Sequence, residues 1–411
     1  MLRISRFCII FLLAAVIIIY GRPQFRKLFL EKENTPQINY SFVLKKFLIA
    51  DFSGNAEKKY YDEDGRVYNK FEYQTFLPMI YYRDLLVWKK LPEKIGNTEI
   101  NPMEIEKNRQ LIIVRGHEFD SPEINLYPLY ESDSLFSQIE KPQSMFRINS
   151  SMEFIDAETN SVLKEKSDLF TKALEEKGFC FPAKKYFGNR SRRKPFDEGY
   201  FIEDSSGELF HLKMKKGLPF VKATGLKPGS AIKYIKFEEN MRREFYGVMF
   251  TEDNGVFLIS CDNYKLIKLP VEDFDHEKMS FFMVCDLLKR TIRINNGNYI
   301  STIITDKNYN LIASHRISLK KYDKNAEKYS SIVFPLSLEW DVLNSGYVHF
   351  KPQYHKQGMV SGFFCALIFV FFLKYKKLKI KENLVDIFLI GAGGAPFLIS
   401  VLIAGPFLSE K

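Results

Sequence analysis

The chain begins and ends in apolar sequence, and this constrains everything between. "ISRFCIIFLLAAVIIIY" (4–20) opens it, and "GMVSGFFCALIFVFFL" (358–373) and "LVDIFLIGAGGAPFLISVLIAGPFL" (384–408) close it. A bilayer core of ~30 Å takes about 20 apolar residues of helix, so the sequence predicts three transmembrane helices with a folded body slung between them. The first segment is also long enough for a signal peptide. Signal peptidase cuts after small residues, however, and Ile17, Ile18, Ile19 and Tyr20 fill the approach to Gly21, which favours an uncleaved anchor. Lysines flank the second segment and can snorkel, and the third is long enough to cross with tilt.

The run "KYKKLKIK" (374–381) places five lysines between the last two segments. Short lysine-rich loops stay cytoplasmic. The second helix then runs outside to inside, and the third runs inside to outside with the C-terminus external. Arg22, Arg26 and Lys27 sit on the wrong side of the first segment for this orientation. The expected organisation is an anchor (1–29), an extracytoplasmic β domain (30–355) and two C-terminal helices with their lysine-rich loop (356–411).

Charge placement excludes one class of partner. Residues 1–27 and 374–381 hold ten basic side chains, which account for the whole net charge of +10; the rest of the chain has 50 basic and 50 acidic residues. A nucleic-acid binder would carry its basic excess in the folded body. Apolar content of 46% is enough for a buried core. Of the cysteines, Cys8 and Cys365 fall in apolar runs, while Cys180, Cys261 and Cys285 lack metal-type spacing, so all read as buried free thiols.

Within the body, one local pattern recurs: apolar residues, an aspartate, a polar turn, then apolar residues again. It appears at Asp62, Asp156, Asp204, Asp253 and Asp306, the last four spaced 48, 49 and 53 residues apart. Asp with Gly or Asn between β-branched and aromatic flanks is hairpin chemistry. A period near fifty fits blades of ~40–50 residues. The expected fold class is therefore all-β, a propeller-like repeat of antiparallel hairpin sheets, beside the alternative of an irregular β protein with evenly spaced hairpins. A minor helical insertion is expected at "SDLFTKALEEKG" (167–178), with Phe170 and Leu174 on its apolar stripe and Gly178 as its stop.

No metalloprotease histidine pair, phosphate-loop lysine, dinucleotide glycine fingerprint or serine nucleophile elbow is present. "DEDG" (62–65) and "EDNG" (252–255) lack the full ligand spacing of a calcium loop and read as turns. Acid pairs such as Asp197–Glu198 and Glu238–Glu239 do not reveal which carboxylates face each other. No catalytic, cofactor or metal residue is nominated. Two weaker sites remain. In "GAGGAP", Gly391, Gly393, Gly394 and Pro396 lie inside an apolar segment and read as a helix-packing face kinked at the proline. In "NRSRRK", the cations Arg190, Arg192, Arg193 and Lys194 either contact an anionic partner or order a loop through Asp197, Glu198 and Asp204; the loop reading is favoured, with Arg193 the cation expected to meet a buried acid.

"LYPLYES" (126–132), "MFRI" (145–148), "RKPFDEGYF" (193–201), "LFHLKM" (209–214) and "REFYG" (243–247) together resemble domain of unknown function 4857, a bacterial membrane family found mainly in Bacteroidetes. The resemblance implies a bacterial inner membrane with the main domain periplasmic and, more weakly, a neighbourhood of ABC-type transporter components. It supplies no catalytic residues. The leading expectation is thus an anchored extracytoplasmic interaction or accessory protein, with the lipid bilayer and other integral membrane proteins (transporter subunits) as partners. The alternative is an envelope enzyme acting on glycan or peptide through acids in a propeller channel. An envelope sensor is disfavoured, because the expected cytoplasmic segments are too short to be output domains.

Overall fold

The computed structural model describes residues 2–29, 35–52, 58–136, 138–319, 324–341, 346–347 and 349–405. Among the described residues, five antiparallel sheets of three or more strands build the body, beside the two-stranded ribbons Lys94–Ile95/Thr98–Glu99 and Leu336–Asp341/His349–Tyr354. Sheet 1 holds Gln37–Ser41, Lys46–Asp51, Lys59–Asp62 and Val67–Tyr68. Sheet 2 holds Tyr127–Pro128, Ser144–Ile148 and Met152–Asp156; sheet 3 holds Lys185–Gly188, Tyr200–Glu203, Leu209–Lys215 and Leu218–Ala223. Sheet 4 holds Ile232–Phe237, Phe245–Thr251, Val256–Ser260 and Leu266–Lys268. Sheet 5 holds Ser280–Cys285, Arg290–Asn295, Tyr299–Thr305 and Leu311–Ser318, and takes Gln110–Val114 from far upstream as its edge strand.

The sheets stack because their strands are apolar on both faces. Successive side chains of a strand point to opposite sides, so Tyr200 and Ile202 pack towards sheet 2 while Phe201 packs towards sheet 4. In sheet 4, Met249 and Ile259 face sheet 3, and Val248, Phe250 and Leu258 face sheet 5. Ile300 and Ile304 then carry sheet 5 onto Ile38, Tyr40, Phe47 and Ile49 of sheet 1. The packing order is thus 2–3–4–5–1, and no apolar cluster among the described residues joins sheet 1 to sheet 2. Each fully buried Phe or Ile at these layers contributes roughly 1.5–3 kcal/mol.

The recurring aspartates are turn residues, as their sequence context suggests, but they do not mark one corner. At Asp62, Asp204 and Asp306 the N–H donates to the carbonyl four residues on, and the carboxylate accepts from the N–H groups two and four residues on. Gly65, Gly207 and Tyr309 close these turns at φ of 86°, 89° and 67°. In sheet 4 the equivalent position is Thr251, with Asn254 at φ 65°, so Asp253 lies two residues inside its turn. Asp156 opens a turn one residue longer, closed on the Ser161 carbonyl. Asp204 and Thr251 join the second and third strands of their sheets, whereas Asp62 and Asp306 precede the last strand. Turn chemistry recurs wherever a tight reversal is needed, whichever strands it connects.

Helix is more than a minor insertion. The expected helix runs Lys164–Glu176 with Phe170 and Leu174 buried, and Ser167, inside its first turn, ties its hydroxyl to the Leu163 carbonyl. Lys70–Thr75, Pro78–Val87, Pro102–Lys107 and Lys324–Val333 are also helical, the first opened by a reciprocal Asn69–Glu72 capping box. Of the cysteines, only Cys285 is fully buried, and Cys8 and Cys180 are exposed. Burial pushes the Cys285 thiol up to about 11.

Ile4–Lys27 and Gly358–Tyr375 are long and apolar enough to cross a membrane, judged by length and composition. The third apolar segment is not a single helix. It divides into Leu384–Gly393 and Ala395–Ala404 at Gly394, whose φ of 64° and ψ of −145° suit glycine alone. Pro396 does not kink a helix; it stands in the first turn of the second piece, where its missing N–H is harmless. Arg6 binds both ends of the pair. Its guanidinium donates to the two Asp386 carboxylate oxygens at 3.0 and 2.6 Å, and to the Gly405 carbonyl at 2.9 and 2.8 Å. The two pieces therefore double back as a hairpin on the first helix. Pieces of ten residues reach about 15 Å each, half the hydrocarbon thickness of ~30 Å. The expectation of three transmembrane helices becomes two long apolar helices and a broken hairpin.

Two of the three cations beyond the first apolar segment, Arg22 and Arg26, are engaged by the body. Arg22, buried, donates to Ser330 Oγ at 3.1 Å and to Glu327 at 2.7 Å, and Arg26 pairs with Glu327 at 3.1 Å. Glu327 lies on the helix Lys324–Val333, which leads through the hairpin Leu336–Asp341/His349–Tyr354 into the second long apolar helix.

Candidate functional site

The basic stretch lies on the long connection between the strands Lys185–Gly188 and Tyr200–Glu203 of sheet 3. Its side chains have divided roles. Lys194 turns inward: its ammonium meets Asp197 Oδ1 at 2.5 Å, Glu239 Oε1 at 2.9 Å and the Asn189 carbonyl at 2.7 Å. All three charged side chains are essentially sealed from water, at 2%, 0% and 0% exposure. The second oxygens are also used, Asp197 accepting from the Gly199 N–H at 3.0 Å and Glu239 from Asn189 Nδ2 at 2.8 Å. Two carboxylates share one ammonium, and burial, with Glu239 adding repulsion, pushes the Asp197 carboxyl up despite Lys194. Gly199, at φ 67°, passes so close to the Leu212 carbonyl that no side chain fits there.

The acids that seemed available to the stretch go elsewhere. Glu198 pairs with Lys213, and its carbonyl faces His211 Nε2 at 2.6 Å. His211 is buried between Phe201, Tyr246 and Tyr264, and burial holds its imidazole down to about 3, so it is a neutral core residue. Asp204 serves its own turn. The cation on buried acids is Lys194, and not Arg193 as expected.

The three arginines face outward. Arg190 lies over the Tyr127 ring at 4.5 Å. Arg192 and Arg193 are exposed, and their guanidinium groups have no hydrogen-bond or ion-pair partner among the described residues. With Lys141 and Tyr130 they rim a cleft of about 900 Å³ whose other walls are Leu126, Pro128, Ile139, Pro142 and Met145. No acidic side chain is among its described lining residues.

A second cleft, of about 740 Å³, shares Arg190 and Ser191 with the first and runs between sheet 3, sheet 4 and the segment 118–123. Here the adjacent acids Glu238 and Glu239 part company. Glu239 goes to Lys194, while Glu238 faces the cleft, where burial and the neighbouring Glu239 push its carboxyl up to about 7. Glu118, in the same wall, is bound by Lys236 at 2.5 Å and by the Tyr234 hydroxyl at 3.3 Å. Asp120 of that wall accepts at 2.5 Å from the Gly346 N–H, in the hairpin that leads into the second apolar helix. Sequence reasoning missed Glu238 and Glu118 as cleft residues. Neighbouring acids diverge by backbone geometry, and no local signal says which one meets a cation.

The glycine-rich segment packs closely, though not as a uniform face. Gly362 of the second long helix abuts the Gly391 carbonyl, leaving no room for a side chain, while Gly391 itself has open space where a Cβ would project. Gly393 is crowded by Phe397, and Gly394 by Pro335. The packing glycine opposite "GAGGAP" is thus Gly362, and Gly394 is the break.

Replacing Lys194 by Met leaves Asp197 and Glu239 facing each other without a cation. Losing one member of a buried ionic cluster costs about 3–5 kcal/mol, whereas Arg192→Gln and Arg193→Gln should each stay within about 0.5 kcal/mol. Denaturant titration of the detergent-solubilised protein checks the ranking, and equal losses at all three positions would contradict it. Glu238 gives a pH signature. With its folded pKa about 7, above the ordinary 4.5, the unfolded chain ionises first, so its burial weakens the fold as pH rises through this window. Glu238→Gln removes that penalty, and its stability relative to the native chain should increase between pH 5 and pH 8. Parallel melting curves across this range would count against it.

No curated protein matches the chain. The family model described as Domain of unknown function (DUF4857) matches residues 37–329, from the first strand of sheet 1 into the helix that holds Glu327. That is most of the chain, and the protein belongs to the domain of unknown function 4857 family.

Proposed function

We propose that the chain is a membrane-anchored accessory protein, its β body carried outside the cytoplasm to engage other integral membrane proteins, an ABC-type transport complex being the expected host. The observation that carries this reading is the continuity between body and helices. Asp120, in a cleft wall, is bound to the hairpin that feeds the second apolar helix, and Glu327 holds Arg22 and Arg26 of the first. A change at the cleft therefore has a short covalent and hydrogen-bonded route to both helices. The stacking order 2–3–4–5–1, with no apolar cluster joining sheets 1 and 2 among the described residues, supports a propeller-like arc.

The orientation follows from the five lysines at 374–381. Pairing of Arg22 and Arg26 with Glu327 supports it by removing the contrary charge from the outer side. Reporters active only outside the cytoplasm should be active when fused after Glu33 and silent after Lys379. The doubled-back hairpin changes the expectation for the C-terminus: a reporter after Lys411 should also be silent, because Gly405 returns to Arg6. Activity at Lys379 would overturn the orientation, and activity at Lys411 alone would restore the third crossing.

The functional reading is tested by detergent-solubilised pull-down of the full chain. Recovery of other integral membrane proteins, reduced when Glu327→Gln uncouples the body from the first helix, is the expected result. A second reading, an envelope enzyme acting on glycan or peptide, draws on two acids lining one cleft, Glu238 with its carboxyl pushed up to about 7 and Glu118 bound by Lys236. Recovery of the protein alone, together with hydrolysis lost in Glu238→Gln, would move the support to that reading.

A further inference from the structure

Several charged side chains around sheets 3 and 4 have an internal partner: Lys194 has Asp197 and Glu239, Lys213 has Glu198, Lys236 has Glu118 and Arg242 has Glu244. Arg192, Arg193 and Lys141 have none among the described residues, and all three line one concave cleft with no acid among its described lining residues. Like charges held together unneutralised repel each other, and here the connection that displays them is held rigidly from below by the sealed Lys194 cluster. The arginines are thus presented by a built scaffold, and the scaffold does not use them. Beneath the cations the walls are apolar, with Leu126, Ile139 and Met145 among them.

We infer that this cleft binds an amphiphilic phosphate: a phosphoryl group on Arg192 and Arg193, with Lys141 beside it, and the apolar moiety carrying that group against the cleft wall. Each guanidinium presents a fork of N–H donors that matches two oxygens of one anion. Two adjacent forks suit the three oxygens and near-double charge of a phosphate monoester better than a single carboxylate. Arg192 and Arg193 are adjacent in the chain and Lys141 lines the same cleft, which suits a compact headgroup over an extended acidic peptide. A volume of about 900 Å³ lies at the upper end of the range for small-molecule sites, roughly 300–1,000 Å³. Tyr130, its hydroxyl tied to the Arg190 carbonyl at 2.7 Å, forms part of the wall and gives an optical handle on occupancy. The inference is independent of whether the chain accompanies a transporter, since it concerns a site on the body alone.

The test is titration of the full chain in detergent with octyl phosphate, inorganic phosphate, octanol and a short polyglutamate, followed by calorimetry and tyrosine fluorescence. Octyl phosphate should bind at least ten-fold more tightly than either inorganic phosphate or octanol, and its affinity should fall as salt rises. In the Arg192→Gln/Arg193→Gln double variant it should weaken at least ten-fold with the melting temperature unchanged, since neither side chain supports the fold. Lys216→Gln, an exposed lysine outside the cleft, should leave it intact. Equal affinity in the double variant, octyl phosphate no tighter than inorganic phosphate, or preference for polyglutamate would each overturn the inference. Binding of a vesicle containing phosphatidic acid at octyl-phosphate-like affinity would assign the site to a lipid headgroup, and exclusion of that vesicle with retained octyl phosphate binding would assign it to a free amphiphile; both outcomes support the site.

Discussion

Sheets 3, 4 and 5 are each buried on both faces, and the rest of the body depends on this. A strand that must be apolar on alternate sides has no solvent face on which to place charge, so charge is displaced to the connections. Sheet 3 shows the consequence. Tyr200, Phe201 and Ile202 commit to two different cores, and the connection before them carries Arg190, Arg192, Arg193, Lys194, Asp197 and Glu198 in close succession. The chain resolves this density by sealing one cation with two acids from different sheets, Asp197 from its own connection and Glu239 from the end of the strand Ile232–Phe237. That cluster locks sheet 3 to sheet 4 at the point where both clefts meet.

The sealed cluster then decides which groups are left for chemistry. Because Glu239 is drawn to Lys194, Glu238 is turned to the second cleft and keeps its proton near neutrality. Because Lys194 is used internally, the anion-facing charge of the first cleft is arginine with Lys141. Arginine cannot lose its charge in the accessible pH range, so the first cleft is a constant electrostatic feature while the second titrates. The two clefts share Arg190 and Ser191.

The apolar helices obey the same logic. A guanidinium among apolar helices is costly unless paired, and Arg6 is paired twice, with the Asp386 carboxylate and the Gly405 carbonyl. The second contact satisfies a backbone carbonyl at the end of a half-length helix, which would otherwise lack a partner. One arginine thereby permits a broken hairpin where a continuous helix was expected, with Gly394 as the reversal and Gly362 allowing the hairpin to approach the second long helix closely.

Much of this was legible in the sequence. Apolar runs marked the helices at both ends, aspartate turns with Gly or Asn marked strand reversals, and ordered landmarks marked the family. These are local signals, set by the preferences of a few adjacent residues. The sequence could not say that Thr251 would occupy the aspartate position in sheet 4, because the turn frame counts from the strand end and not from the acid. It could not separate Lys194 from Arg193, or Glu238 from Glu239, because each choice depends on a side chain some forty residues away reaching the same point. The reversal at Gly394 was invisible for the same reason: Arg6 and Gly405 lie at opposite ends of the chain. Residue preferences determined which segments became strand, turn and helix, while long-range charge pairing, which exists only once the sheets have stacked, decided which residues face the clefts.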